Sequence, residues 1–367
     1  MTDYKFEGWG GFDKESHKGN LKWFEYKPKH FDDDDIDIKI MYCGICGSDV
    51  HTLSSGWGDM SKLYPQVVGH EIVGIATRVG DKAEKGIKVG DLVGVGAQCD
   101  SCLECGQCKN QREQYCDNGQ VGTYAGVFGR NEASKGDKSY GGYANYWRGP
   151  SHFVVKIPDN IDPAVAAPML CGGVTLYSPL KQYGAGTTAK KVGIVGVGGL
   201  GHFGILFAKA LGAEVTAISH SDHKREDAKE LGATNFISTG DDAAKACAEH
   251  TRSLDLIINT SNDENLPIDA YITLLKPGGH FIMVGVPEVK QLPNIAPQSV
   301  IMNNIHVGGS AIGAPSTIEE MLAFAGEHKV QPWIKKWSLK DANEAVSTMT
   351  KARFRYVLVN EDNGGKM

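Results

Sequence analysis

The stretch Lys191-Val-Gly-Ile-Val-Gly196-Val-Gly198-Gly199-Leu200-Gly201 decides the fold. An apolar run ends in G-x-G-x-x-G. The next residues, His202-Phe-Gly-Ile-Leu-Phe-Ala-Lys-Ala-Leu, have helical apolar spacing and close on Gly212. Glycines at 196, 198 and 201 allow a tight turn, close approach of backbone to a pyrophosphate, and close helix–strand contact. The start of the helix supplies N–H donors and a positive dipole to the phosphates. A bare G-x-G-x-x-G says little; set between a strand and a helix it specifies a dinucleotide site. Gly196, Gly198, Gly199, Leu200 and Gly201 are therefore candidate cofactor-binding residues.

Downstream, strands are expected at 214–219, 234–238, 254–260, 280–286 and 304–312, alternating with helices at 223–231, 241–250 and 264–275. This alternation predicts an α/β domain with a doubly wound parallel sheet. The second strand ends near Ser219, eighteen residues after Gly201, where an NAD enzyme would carry Asp or Glu for the ribose 2′-hydroxyl. The residues there are Ser219-His220-Ser221-Asp222-His223-Lys224-Arg225. Hydroxyls and cations suit a 2′-phosphate, so NADP is the expected cofactor, with Asp222 carrying the rival NAD reading.

Upstream, the nine cysteines fall at 43, 46, 99, 102, 105, 108, 116, 171 and 247, five of them within 99–116. Cys102, Cys105, Cys108 and Cys116 have the spacing C-x2-C-x2-C-x7-C, and four thiolates on one short loop can close a tetrahedral structural zinc site. Cys99 leaves a shifted set, 99/102/105/108, open. Three further patches carry soft ligands: Cys43-Gly-Ile-Cys46-Gly-Ser48-Asp49-Val-His51, Gly69-His70-Glu71, and Met169-Leu-Cys171-Gly-Gly. One ligand from each would make a Cys–His–Cys zinc site with a position left for water or substrate. Spacing does not choose between Cys43 and Cys46. Seven other histidines (17, 30, 152, 250, 280, 306 and 328) and Cys247 are expected in ordinary structural roles.

At 367 residues the chain has room for roughly two domains. Charged residues are 22% and hydrophobic residues 41%, which excludes a disordered chain or a coiled coil. The formal charge of −6 and the lack of a basic stripe speak against a nucleic-acid binder. No apolar run of 18 residues occurs, so no membrane helix is expected. The start Met1-Thr-Asp-Tyr-Lys lacks an apolar signal core, which predicts a cytoplasmic protein with reduced thiols. Ile36-Asp-Ile-Lys-Ile40 alternates like a half-buried strand behind the acidic run Asp32–Asp35, read as a solvated turn. Residues 62–96 carry short β-like pieces and Gly-Asp turns, as in a small barrel, and 153–158 ends that region. Residues 129–150 are expected as a polar surface loop as far as Gly141-Gly-Tyr. Ser316-Thr-Ile-Glu319 resembles a capping box, 338–351 suggests a helix, and 354–359 a final strand. No internal repeat is evident.

Together, CGICGSDVH, GHE, the four-cysteine loop, APMLCGGVT, GVGGLGH, ISHSDHKRE and RFRYVL span residues 43 to 358. They resemble the zinc-dependent medium-chain alcohol dehydrogenases, and most closely the cinnamyl alcohol dehydrogenase branch with its broad-specificity NADP-dependent yeast members. The resemblance implies a GroES-like β-rich catalytic domain (1–171 and 313–367), a Rossmann domain (172–312), and a homodimer built through the Rossmann sheets. It implies two zinc ions per chain: a catalytic one on Cys46, His70 and Cys171, with Glu71 an occasional fourth ligand, and a structural one on Cys102, Cys105, Cys108 and Cys116. Ser48 and His51 match the family's proton relay. Asp49 matches the partner of the zinc-bound histidine, Thr175 a residue near the nicotinamide, and Arg355 a pyrophosphate contact. Ser219, His220, Ser221 and Lys224 fall at the 2′-phosphate pocket. The implied activity is reversible hydride transfer between NADP(H) and medium-chain or aromatic primary alcohols and aldehydes. A secondary-alcohol or polyol dehydrogenase of the same fold, or a non-enzymatic nicotinamide-binding zinc protein, are the alternatives; Cys171-Gly-Gly speaks against the first. Trp57, Tyr64 and Thr123 are candidate pocket residues.

Overall fold

A computed structural model describes residues 4–288 and 295–367 of the chain. The chain divides into two units, Met1–Cys171 with Gly313–Lys329 and Trp333–Met367, and Gly172–Ile312 with Val330–Pro332. Among the described residues no helix is long and apolar enough to cross a membrane.

The first unit is organised by the long strand Asp35–Ile45. It lies in a seven-stranded sheet of order Val154–Lys156, Leu92–Val95, Ile72–Val79, Asp35–Ile45, Arg355–Val359, Ile334–Ser338, with Tyr146–Pro150 also paired to Asp35–Ile45. All pairings are antiparallel except that of the last two strands. Ile36, Ile38 and Ile40 alternate along the strand and are buried with Trp147, Val93 and Phe153. The terminal strand Arg355–Val359 pairs with Tyr42–Ile45, which returns the end of the chain to the segment that leads into Cys46.

The second unit holds a six-stranded, wholly parallel sheet. Numbered by sequence within the unit, its strands lie in the order 3-2-1-4-5-6, the doubly wound dinucleotide-binding arrangement. Val192, Ile194, Ile257 and Ile258 are fully buried, as expected for strands covered on both faces. Strand Lys191–Val195 and helix Gly201–Ala210 match the sequence reading. The expected helix at 264–275 shortens to Ile268–Thr273. Pro267 caps it, and a residue preceding proline is biased away from helical backbone. The expected strand at 280–286 instead runs from Leu275 to Met283.

Three other local expectations are corrected. In the acidic run Asp32–Asp35, expected as a solvated turn, only Asp33 is exposed, and Asp32 and Asp35 are buried. Lys29, 3% exposed, donates to Asp32 (2.9 Å) and to Asp35, while Ser134 Oγ also donates to Asp32 (2.6 Å). Arg130 donates to Asp34 (2.6 Å) and Asp100 (2.9 Å), so the polar surface loop expected at 129–139 is largely exposed but anchored on this cluster through Arg130 and Ser134. Helix Pro315–Glu327 starts without a capping box, because Pro315 occupies its first turn and Ala314 its cap position. The expected helix at 338–351 is three short pieces, helical only at Ala342–Ser347 between 3-10 turns.

Burial alone would raise the pKa of Asp32, but Lys29 and Ser134 outweigh it and bring it down to about 2. At Asp35 burial wins and lifts the pKa to about 6. Lys29→Ala leaves both carboxylates without their cation. The expected loss is about 3–5 kcal/mol at pH 7. Asp32's depressed pKa stabilises above its unfolded value and that contribution fades as pH falls. The deficit in urea unfolding is therefore full at pH 7 and shrinks as pH falls from about 4 toward about 2.

Candidate active site

Strand Asp35–Ile45 runs into the short helix Gly47–Leu53, and Cys46 is the cap residue between them, in extended backbone. Asp49, fully buried, holds this corner. Its Oδ2 accepts from Cys46 N (2.9 Å) and Tyr143 OH (2.8 Å), and its Oδ1 from Gly69 N (3.1 Å). One carboxylate thus fixes the segment bearing Cys46 against the segment bearing His70. Gly69 has φ +100, and a β-carbon there would strike Cys43 Sγ and the Tyr143 ring, so glycine is required. Cys171 sits on a π-helical turn, Met169–Gly173, a rare geometry concentrated at functional sites.

The result is that ligand atoms of Cys46, His70, Glu71 and Cys171, all buried, lie within 4.8 Å of one another. His70 Nε2 is 3.1 Å from Cys171 Sγ. His70 Nδ1 lies 3.0 Å from Tyr124 OH and 3.4 Å from Asp49 Oδ1, so its other nitrogen is left to face the sulfurs. Cys43 is buried but outside the group; its thiol donates to the Gly44 carbonyl. Two sulfurs and an imidazole nitrogen form a donor set suited to zinc. The hydrogen bond from Cys171 holds the Cys46 thiol well below its usual pKa, against burial and with help from His70, and the same bond pushes Cys171 up. Burial opposes charge on His70, but Asp49 and Cys46 raise it to about 9. A divalent ion held among these atoms would let both sulfurs ionise.

The loop cysteines form a second group. Sγ–Sγ distances are 3.9 Å (102–108), 3.5 Å (105–108), 3.9 Å (105–116) and 3.4 Å (102–116). A tetrahedron with Zn–S bonds of about 2.3 Å has edges of about 3.8 Å. The N–H of Glu104 brings the Cys102 thiol down to about 6. Cys99 lies outside this group, buried and donating to Gly122 O (3.2 Å), so the structure assembles the set with Cys116.

In the second unit, Gly196 has φ +88, and a β-carbon on Gly201 would collide with the Gly196 carbonyl. A β-carbon on Gly198 would meet nothing within 4 Å. That open face beside the helix start is the space a pyrophosphate would fill. Gly199 O is bonded by His202 Nδ1 (3.0 Å), and Leu200 caps the helix. Ser219 ends strand Glu214–Ser219, and His220 is exposed. Ser221 Oγ pairs with His223 Nδ1 (2.6 Å), and Lys224 stands 3.7 Å from Asp227. Asp222, the rival ribose ligand, is engaged by Arg225 Nε (2.9 Å) and Nη2 (2.6 Å). Thr175 is buried in helix Val174–Gln182.

Residues 32–159 match the alcohol dehydrogenase GroES-like domain family, and 199–327 the zinc-binding dehydrogenase family. The chain is 42% identical over 366 residues to NADP-dependent alcohol dehydrogenase 6 of Saccharomyces cerevisiae, covering 98% of this chain and 97% of the yeast one. The chain belongs to the zinc-binding alcohol dehydrogenases. Among solved structures, a cinnamyl alcohol dehydrogenase of Sorghum bicolor matches with a TM-score of 0.89 at 36% identity, covering 99% of both chains. CAD from Helicobacter pylori, complexed with NADP(H), matches at 0.85 and 33% identity, covering 97% of this chain and 98% of that one.

Several features of this alcohol dehydrogenase were not visible in its motifs. Tyr124, whose hydroxyl meets His70 Nδ1, has no distinguishing spacing; only its place in the Gly-rich 122–126 loop hints at it. Arg355 donates from Nη2 to Glu71 Oε1 in a buried ion pair. Burial lifts Glu71 to about 7 despite Arg355. Ser48 Oγ is 3.7 Å from Cys46 Sγ, and the His51 ring stacks on Trp57 at 4.9 Å. Tyr64 OH donates to Leu53 O and Thr123 Oγ1 to Gly96 O, so both serve the frame of the dehydrogenase.

Proposed function

We propose that this alcohol dehydrogenase interconverts medium-chain or aromatic, cinnamyl-type primary alcohols and their aldehydes with NADP(H). The convergence of Cys46, His70 and Cys171 on one point carries this reading. Zinc there would act as a Lewis acid toward the substrate oxygen. NADP(H) would exchange a hydride with the substrate carbon.

The chain's own residues do the rest. Asp49 and Tyr124 hold His70 in the tautomer that presents Nε2. Glu71 is the occasional extra ligand and is otherwise held by Arg355, which is also the proposed pyrophosphate contact. Ser48, on the first turn of the helix Gly47–Leu53, takes the substrate's hydroxyl proton. His51, three residues on and therefore on the same helix face, passes it to solvent, a step suited to a group that changes charge near neutral pH. Gly196, Gly198, Gly199, Leu200 and Gly201 receive the pyrophosphate, and Thr175 stands near the nicotinamide. Ser219, His220, Ser221 and Lys224 receive the 2′-phosphate; Arg225's hold on Asp222 supports this, since it removes the competing carboxylate.

We further place two zinc ions on each chain, the second on the four-cysteine loop. A cytoplasmic homodimer is proposed through the edge strand His306–Gly309, preceded by the exposed Ile301 and Met302. The test of the whole reading is NADPH oxidation with cinnamaldehyde: turnover with NADPH well above that with NADH supports it, and no turnover with any aldehyde or alcohol sinks it. Replacing His51 with alanine is expected to slow turnover about 10- to 100-fold near pH 7, with partial rescue by added imidazole. An unslowed variant would take His51 out of the relay.

A further inference from the structure

We infer that His152 is a charged positioning residue that holds the four-cysteine loop on the body of the first unit, so that retention of the loop's metal depends on His152 carrying its proton. The inference rests on the reading that Cys102, Cys105, Cys108 and Cys116 bind zinc.

His152 lies in the 3-10 turn Ser151–Phe153 that follows strand Tyr146–Pro150. Its Nδ1 is 2.8 Å from Glu84 Oε2, and its Nε2 is 2.9 Å from Glu113 Oε1. Two carboxylates can only accept, and a neutral imidazole has a single N–H to give. Both bonds form together only on the imidazolium. The bridge reaches across three distant parts of the chain. Glu84 lies beyond strand Ile72–Val79, and its own N–H donates to Ser151 Oγ (2.9 Å), which pins the two turns together. Glu113, 3% exposed, lies between Cys108 and Cys116. Its carbonyl accepts from Cys116 N (3.1 Å) and from Gln98 Nε2 (2.9 Å). The side chain of Glu113 is thus fastened to His152 while its main chain is fastened to a proposed ligand.

Without the imidazolium, Glu113 would be a buried carboxylate lacking its cation, and the cheapest relief is for the segment 109–115 to lift into water. Burial opposes charge on His152, but Glu113 and Glu84 together raise its pKa. A histidine with a raised folded pKa stabilises fully below its unfolded value, about 6.5, and loses that contribution as pH rises through the folded one. The neighbouring charges are accounted for. Lys85 opposes protonation but is drawn to Glu319 (2.9 Å) and to Val154 O (3.1 Å). Asp100, on the adjoining strand Gln98–Asp100, is held by Arg130.

The test is release of zinc from the purified holoenzyme to the chromophoric chelator 4-(2-pyridylazo)resorcinol, after its zinc content has been measured. The loop's phase is the one that persists when Cys46 is replaced by serine. His152→Gln is expected to speed that phase about tenfold at pH 6.5, and Glu84→Gln, at the half-exposed end of the bridge, about threefold. Both ratios to the unaltered enzyme should fall toward one at pH 9. Equal rates at pH 6.5 would overturn the inference. So would a ratio independent of pH, which marks lost packing and not lost charge. One zinc per chain in the unaltered enzyme would instead overturn the underlying reading.

Discussion

Cys46→Ser is expected to lower kcat by about three orders of magnitude or more, while NADPH binding changes less than about twofold. A Lewis-acid metal supplies several kcal/mol toward charge at the substrate oxygen, and each 1.36 kcal/mol is about tenfold in rate. Serine's hydroxyl stays protonated where a thiolate is needed, so the site loses one of three donors and with it the metal. The fold survives, because the bond that positions residue 46 runs from its backbone N–H to Asp49 and not from its side chain. The glycines proposed to bind the nucleotide, 196 to 201, belong to the other unit and are untouched. Cys43→Ser is the control. Cys43 is as buried as Cys46 but stands outside the ligand group, and turnover should stay within about threefold. Steady-state kinetics with fluorescence titration of NADPH separates the two outcomes.

Cys105→Ser has the larger effect on stability. Structural zinc contributes on the order of 10–16 kcal/mol to small zinc-dependent folds, and three ligands retain only part of it. Loss of one zinc per chain and a fall of roughly 10 °C or more in apparent Tm are expected. Cys99→Ala should keep both ions, since Cys99 bonds a carbonyl away from the group. Its cost is a small cavity, about 1–2 kcal/mol. Metal analysis with differential scanning fluorimetry reads both variants. Equal behaviour of the two would mean that the four-sulfur cage does not hold the loop.

Two parts of the molecule were legible in the sequence because their structure is local. The turn at Gly196–Gly201 announces itself because strand, glycines and helix are consecutive. The loop cysteines do so because four thiols fall within fifteen residues. What escaped depends on partners far apart in the chain. Arg130 and Ser134 hold Asp34 and Asp32 from 96 and 102 residues away, which spacing does not encode, so the acidic run reads as solvated when only Asp33 is exposed. Cys43 and Cys46 are equivalent as letters. Only the end of strand Asp35–Ile45 separates them, leaving Cys43 within the strand and Cys46 at the helix cap. Tyr124 and His152 look ordinary until the fold brings His70, Glu84 and Glu113 to them. The apparent capping box at Ser316 fails for a nearer reason, since Pro315 already opens the helix.

The most direct test of the proposed chemistry is a crystal diffraction experiment at wavelengths on either side of the zinc absorption edge. An anomalous peak within bonding distance of Cys46 Sγ, His70 Nε2 and Cys171 Sγ together, alongside a separate peak amid the loop sulfurs, is the predicted result. A protein that turns over alcohol yet shows no peak among those three atoms would contradict it.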